Sequence, residues 1–206
     1  RHDHPRFPKG TSVKKRRVCV FTGSRAEYGL LRPVVADLAR RPDVDVSLLV
    51  SGSHLDPRFG LTVAEIEADG FPIAARIPIL SQDATPTGVT DAFGRAVAGC
   101  GEFLGRAAPD VLLILGDRFE ALAAATAAAV HRVPIAHISG GEITGGAIDD
   151  VFRHALTKMS HLHFTSAELY SRRVLQMGEA PERVFTAGSL GAEIVAGMPR
   201  LSREEL

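Results

Sequence analysis

Val111-Leu-Leu-Ile-Leu-Gly-Asp117-Arg-Phe-Glu120 is the stretch whose reading decides the fold. Five apolar residues run without a polar interruption, as in a strand covered on both faces. A glycine and an acid follow at once, and an alanine-rich run starts at Phe119. Strand, turn and helix in such close order make up half of a βαβ unit. Pro134-Ile-Ala-His-Ile-Ser-Gly-Gly-Glu142 repeats the pattern, and Ala147-Ile-Asp-Asp150 opens a further helix. In a parallel α/β sheet the residues just past the strands' carboxyl ends converge on one crevice. Asp117, Glu142, Asp149 and Asp150 are therefore candidates for a shared site. Clustered carboxylates are suited to moving protons, because repulsion and burial push their pKa values apart.

The same alternation extends in both directions. It predicts strands over 17–22, 44–50, 72–77, 111–115, 134–138, 161–164 and 183–186. Helices are expected over 27–40, 61–69, 89–107, 119–131, 149–160 and 167–177. Pro42, Gly70, Pro109, Pro134 and Gly178 punctuate the helix ends. The fold class is α/β, a doubly wound parallel sheet with right-handed crossovers. Residues 81–88 read as a polar, mobile loop. Residues 1–15 form a basic stretch without an initiating Met, expected to be a disordered leader or an expression remnant. One Rossmann-like domain is expected over 16–190. Residues 191–206 look like the start of a crossing into a second domain that the sequence does not include.

Composition narrows the partners. Acids and bases balance at 24 each over 206 residues, which gives no support for a nucleic-acid or membrane-surface partner. No apolar run approaches the ~20 residues that span a bilayer, and the start has no apolar signal core. Cys19 and Cys100 stand apart in a predicted strand and a predicted helix. They read as buried free thiols in a reducing, cytoplasmic setting. His161-x-His163 alternates along a strand and would present both rings on one face, but no further ligand cluster accompanies it, so no metal is expected. A Gly-Lys-Ser/Thr loop is absent, as is Gly-x-Gly-x-x-Gly. The second strand ends in Ser51-Gly52 and not in an acid for a ribose. Neither a Walker enzyme nor an NAD enzyme fits, and no cofactor is expected.

Individual residues each admit a plainer reading. Thr22-Gly23-Ser24-Arg25-Ala-Glu27-Tyr28-Gly29 follows a strand and opens a helix. Gly23, Ser24 and Arg25 could bind an anion there through amide groups and a guanidinium fork, or form an ordinary turn. Asp117 alone would be a helix N-cap. Asp149 and Asp150 are also natural first-turn acids. Asp149 with Arg153 and Asp150 with His154 stand at i,i+4 on one helix face. Such spacing serves surface ion pairing or the orientation of a catalytic acid. His131 and His137 are as easily core or cap residues as ligands, and His54, in a loop at the same sheet edge, is a ligand or a framework residue on equal terms.

Taken together, these motifs resemble the hydrolysing UDP-N-acetylglucosamine 2-epimerases of the sialic-acid and polysialic-capsule type. The matching residues are Gly23-Ser-Arg-Ala-Glu-Tyr-Gly29, Gly116-Asp-Arg-Phe-Glu120, Gly140-Gly-Glu142, Asp149-Asp150 through Arg153-His154 to Ser160, and Gly188-Ser-Leu-Gly-Ala-Glu193. The resemblance implies the N-terminal half of a GT-B-type fold, with a UDP-sugar held between two Rossmann-like halves. It implies removal of the C2 proton, expulsion of UDP and hydration of the resulting glycal to N-acetylmannosamine. Asp117, Glu142 and Asp149 would be the catalytic acids. Gly23, Ser24, Arg25, Asp150, Arg153 and His154 would bind substrate, with Arg25 on the diphosphate. Many relatives carry Glu where this chain has Ser139, so Glu142 is taken as the substitute. UDP-N,N'-diacetylbacillosamine is the alternative substrate, and a non-catalytic nucleotide-sugar module is the alternative function. The resemblance also implies a homo-oligomer at full length and negligible turnover by residues 1–206 alone.

Overall fold

The computed structural model of the protein describes residues 15–198. All but Lys15 of the expected leader, and the last part of the expected crossing, lie outside the described residues. Seven parallel strands form one sheet in the order β3-β2-β1-β4-β5-β6-β7. They are β1 (Arg16–Thr22), β2 (Val44–Ser51), β3 (Ile73–Ile77), β4 (Val111–Leu115), β5 (Ile135–Ile138), β6 (Leu162–Thr165) and β7 (Val184–Thr186). The helices are α1 (Arg25–Arg40), α2 (Val63–Ala68), α3 (Pro86–Ala107), α4 (Phe119–Val130), α5 (Asp149–Met159), α6 (Glu168–Gln176) and α7 (Leu190–Gly197).

The two-residue period of the strands builds two cores. Leu112 and Ile114 of β4 face one side with Cys19, Phe21, Leu49 and Ile135, under α3, α4 and α5. Leu113 and Leu115 face the other side with Val20, Leu48, Val50 and Ile138, under α1 and α2. The uninterrupted apolarity of 111–115 thus serves both faces at once. Helix α4 buries six alanines, which let it lie close to α3, α5 and the sheet. Cys19 and Cys100 are buried and unbridged. Burial pushes both thiols up to about 12, with Cys100 adding to the shift at Cys19.

Departures from the expected elements have local causes. Helix α1 starts at Arg25, two residues early, because Ser24 caps it by accepting from the Glu27 amide at 3.4 Å. Helix α3 absorbs the end of the expected 81–88 loop. Thr85 caps it by accepting from the Gly88 amide, and Pro86 takes the first helical position. Residues 52–59 fold into two short 3-10 turns. The expected crossing begins as α7, which packs against α1. His161 falls just before β6, so the expected strand pair of histidines does not form; His163 alone is buried.

Strand order reverses between β1 and β4, each side winding outward from there. That switch point is where an open α/β sheet leaves a crevice beyond its strand ends. The turns after β1, β2, β4 and β5 surround it. Gly52, at the end of β2, has φ +58, and a Cβ there would stand 2.4 Å from the Gly23 carbonyl. The two turns touch backbone to backbone, and the Ser53 amide donates to the Gly23 carbonyl at 2.8 Å. Gly52→Ala should therefore lose at least about 1–2 kcal/mol for the left-handed backbone alone. Gly29→Ala, in an exposed helical position with nothing near its Cβ, should gain about 0.5–1 kcal/mol. Urea denaturation checks both; a neutral Gly52→Ala would mean that the turns separate freely.

Candidate active site

Arg153, on the second turn of α5, is the centre of the crevice. Its side chain is only 7% exposed. One terminal nitrogen pairs with Asp117, from the turn after β4, and donates to Thr144 Oγ1 at 3.0 Å. The other donates to the Ser139 carbonyl at 3.1 Å and reaches Glu142 Oε2 at 3.4 Å, both from the turn after β5. Glu142 accepts a second bond, at 2.6 Å, from Ser166 Oγ. Asp149, in the first turn of α5, stands close enough to act on Asp117. The three acids expected to be catalytic are thus brought to one place. Burial pushes the Asp117 carboxyl above its ordinary range; Arg153 opposes this, while Asp149 and Glu142 add to it.

The plainer reading of Asp117 fails on geometry. The N-cap of α4 is Arg118, whose side chain makes no cap bond, so Asp117 does not cap the helix. The expected Asp149–Arg153 pairing is replaced, since Arg153 turns to Asp117 and Glu142. Asp150 does meet His154, at 3.7 Å, and also accepts from the Thr144 amide at 3.0 Å. Gly23, Ser24 and Arg25 form the β1–α1 turn at the switch point. Arg25 is well exposed and ion-paired with Glu65 of α2 at 2.7 Å. The position of Ser139, where an acid was expected, is left-handed, with φ +64. Its carbonyl serves Arg153 there.

The sequence reading left His137 and His54 open between core and ligand and did not single out the Arg118–Glu120 pair. His137 is buried, and its Nε2 bonds to the Gly116 carbonyl at 2.7 Å, fixing the turn that carries Asp117. Burial depresses its pKa to about 4, so it is neutral and donates from Nε2. His54 is likewise buried and neutral, its pKa lowered to about 4 by burial, with bonds to Thr22 and Thr62. Both are framework residues, not exposed ligands. Arg118 and Glu120 form a two-pronged ion pair at 2.8 and 3.2 Å with Glu120 buried. Among the described residues no group of three or more His, Cys, Asp or Glu is arranged to hold a metal.

The sequence model of a family described as UDP-N-acetylglucosamine 2-epimerase matches residues 36–206. The GDP/UDP-N,N'-diacetylbacillosamine 2-epimerase (hydrolyzing) of Campylobacter jejuni is 39% identical, over 94% of this chain and 50% of the relative. The UDP-N,N'-diacetylbacillosamine 2-epimerase (hydrolyzing) of Legionella pneumophila is 42% identical, over 86% of this chain and 47% of the relative. The chain spans about half the length of both. The crystal structure of a Neisseria meningitidis UDP-GlcNAc 2-epimerase bound to UDP-GlcNAc superposes with a TM-score of 0.74 at 18% identity. That likeness covers 89% of this chain and 50% of the other. It is a likeness of fold: the Rossmann-like half of a GT-B-type architecture.

The buried guanidinium makes a stability prediction. Arg153→Met should cost about 3 kcal/mol at neutral pH by stranding two acids, the low end because Asp117 and Glu142 keep some solvent contact. The loss should shrink in mild acid, where the stranded carboxyls take up protons. Urea melts at both pH values check this. A loss below about 1 kcal/mol would mean that the pairs behave as solvated surface pairs.

Proposed function

The chain belongs to the UDP-N-acetylglucosamine 2-epimerase family, and on that premise we propose that it supplies the carboxylates of a hydrolysing 2-epimerase acting on a UDP-linked 2-acetamido sugar. The observation that carries the reading is Arg153 drawing Asp117 and Glu142 together beside Asp149 at the sheet's switch point. Removal of the C2 proton by one carboxylate lets the C1–O bond break, with UDP leaving and a glycal remaining. Water then adds across that double bond, hydroxyl to C1 and a proton to C2 from the opposite face. The sum is substrate plus water giving UDP plus the free C2 epimer. Proton transfers of this kind contribute ~10²–10⁴-fold each. A pair of acids with unlike environments suits them, since one must accept while another donates.

Asp117 is assigned the proton-exchanging role, with Glu142 and Asp149 managing the second proton and the water. Gly23, Ser24 and Arg25 are assigned to the diphosphate, because they open α1 and a helix N-terminus favours an anion. Asp150, Arg153 and His154 complete the sugar side. The names of the two relatives at 39% and 42% identity support UDP-N,N'-diacetylbacillosamine as the preferred sugar. The description of the family model keeps UDP-N-acetylglucosamine, with N-acetylmannosamine as product, as the second reading.

UDP release from each sugar by the complete protein separates the two. The diacetylated sugar should be turned over with the higher kcat/KM, and a preference for UDP-N-acetylglucosamine would reverse the order. Asp117→Asn, which keeps the hydrogen bond to Arg153 but cannot exchange a proton, should lose at least ~10²-fold in kcat with little change in KM. An active Asn variant removes the catalytic role. Binding of either UDP-sugar without any turnover would favour the non-catalytic module.

A further inference from the structure

Glu27 occupies the third position of α1, three residues after the Ser24 cap. Ser-x-x-Glu at a helix start is ordinarily a capping box, with a solvated carboxylate reaching back to the cap amide. Here the carboxyl is buried instead, only 8% exposed. Its Oε2 accepts from the Gly23 amide at 2.7 Å, one residue upstream of the cap. Among the described residues its Oε1 has no hydrogen-bond partner, and it is sealed from solvent. Glu120 packs against the same neck. Its Cβ lies 3.5 Å, and Glu27 Oε2 lies 3.4 Å, from where a Gly23 Cβ would stand. Glu120 Oε1 is 3.2 Å from the corresponding point on Gly52. Two glutamates thus clamp the Gly23–Gly52 contact from below, and only Glu120 has a cation bonded to it.

An ionised Glu27 would carry a buried charge with no cation bonded to it among the described residues and would face the Glu120 charge. Both are expensive where water is excluded. We propose that Glu27 is the positioning residue of the Gly23–Arg25 turn, holding it in the neutral form, and that ionisation of Glu27 loosens the turn and weakens its grip on a nucleoside diphosphate. The identity of that ligand rests on the function proposed above; the clamp itself does not. The charged groups around it agree. From α4, Glu120 disfavours the Glu27 charge and Arg118 favours it. From the segment after β2, His54 is neutral. On α1 and α2, Arg25 and Glu65 are paired with each other. Burial outweighs the bonds from Gly23 and Ser24 and the pull of Arg118, pushing Glu27 up to about 7. The switch therefore lies near neutral pH.

The test compares the complete wild-type protein with Glu27→Gln, which keeps the shape and cannot ionise. UDP affinity is measured by calorimetry from about pH 6 to about pH 8, and exchange of the Gly23 amide by NMR over the same range. If only the neutral form holds the turn, wild-type affinity should fall about tenfold relative to the Gln variant across that range. The comparison cancels the ionisation of UDP itself. Wild-type Gly23 protection should fall by a similar factor, and that of the variant should not. Parallel UDP profiles in the two proteins, or a wild-type Gly23 protection factor that ignores pH, overturn the inference. The wild-type amide measurement decides alone if Glu27→Gln does not fold. If neither protein binds UDP while Gly23 protection still follows Glu27, the proposed function fails and the positioning of the turn by Glu27 stands.

Discussion

The site is organised by the need to neutralise one buried guanidinium. Arg153 sits where solvent barely reaches, and an unpaired charge there would be prohibitive. Its partners come from two separate turns, Asp117 after β4 and Glu142 after β5, with the Ser139 carbonyl and Thr144 completing the set. A left-handed Ser139 is tolerated because its carbonyl is needed in that set; such backbone typically carries about 1–3 kcal/mol of strain. The same arginine that gathers the acids also acts on the protonation of Asp117, opposing the effect of burial without cancelling it.

A second, parallel network lies under the β1–α1 turn, and Arg118 joins the two. Burial works against its charge, but Glu120, then Glu27 and Asp149, more than offset it. Asp149 also acts on Asp117, so the β1–α1 turn and the acid cluster are electrostatically linked through one residue next to Asp117. The sheet makes this economical. Strands β1 and β4 are neighbours at the switch point, so the turns that leave them must open side by side. Neutral His137 then fixes the Gly116 carbonyl in the turn that carries Asp117.

Much of this was legible in the sequence. Val111–Leu115 announced a doubly covered strand because both of its faces are apolar, and both faces are buried. Asp117, Glu142 and Asp149 could be placed together because parallel topology puts strand ends on one edge. Partners were harder. Spacing alone assigned Arg153 to Asp149, one turn away, since local pairs are visible in a sequence and long-range ones are not. Its real partners are Asp117, 36 residues away, and Glu142. The burial of Glu27 and the nearness of Glu120, brought in from α4, are likewise invisible in the sequence. The polar composition of Ser81–Gly88 hides the start of α3, which the helix-opening pair Thr85-Pro86 sets.

The central claim is that this carboxylate cluster exchanges the proton at C2 of a UDP-linked 2-acetamido sugar. Turnover of the complete protein in D₂O tests it most directly, with the released sugar examined by NMR and mass spectrometry. The account predicts one deuterium at C2, because the proton returned after loss of UDP comes from a carboxyl equilibrated with solvent. A released C2 epimer that retains protium at that carbon would contradict it.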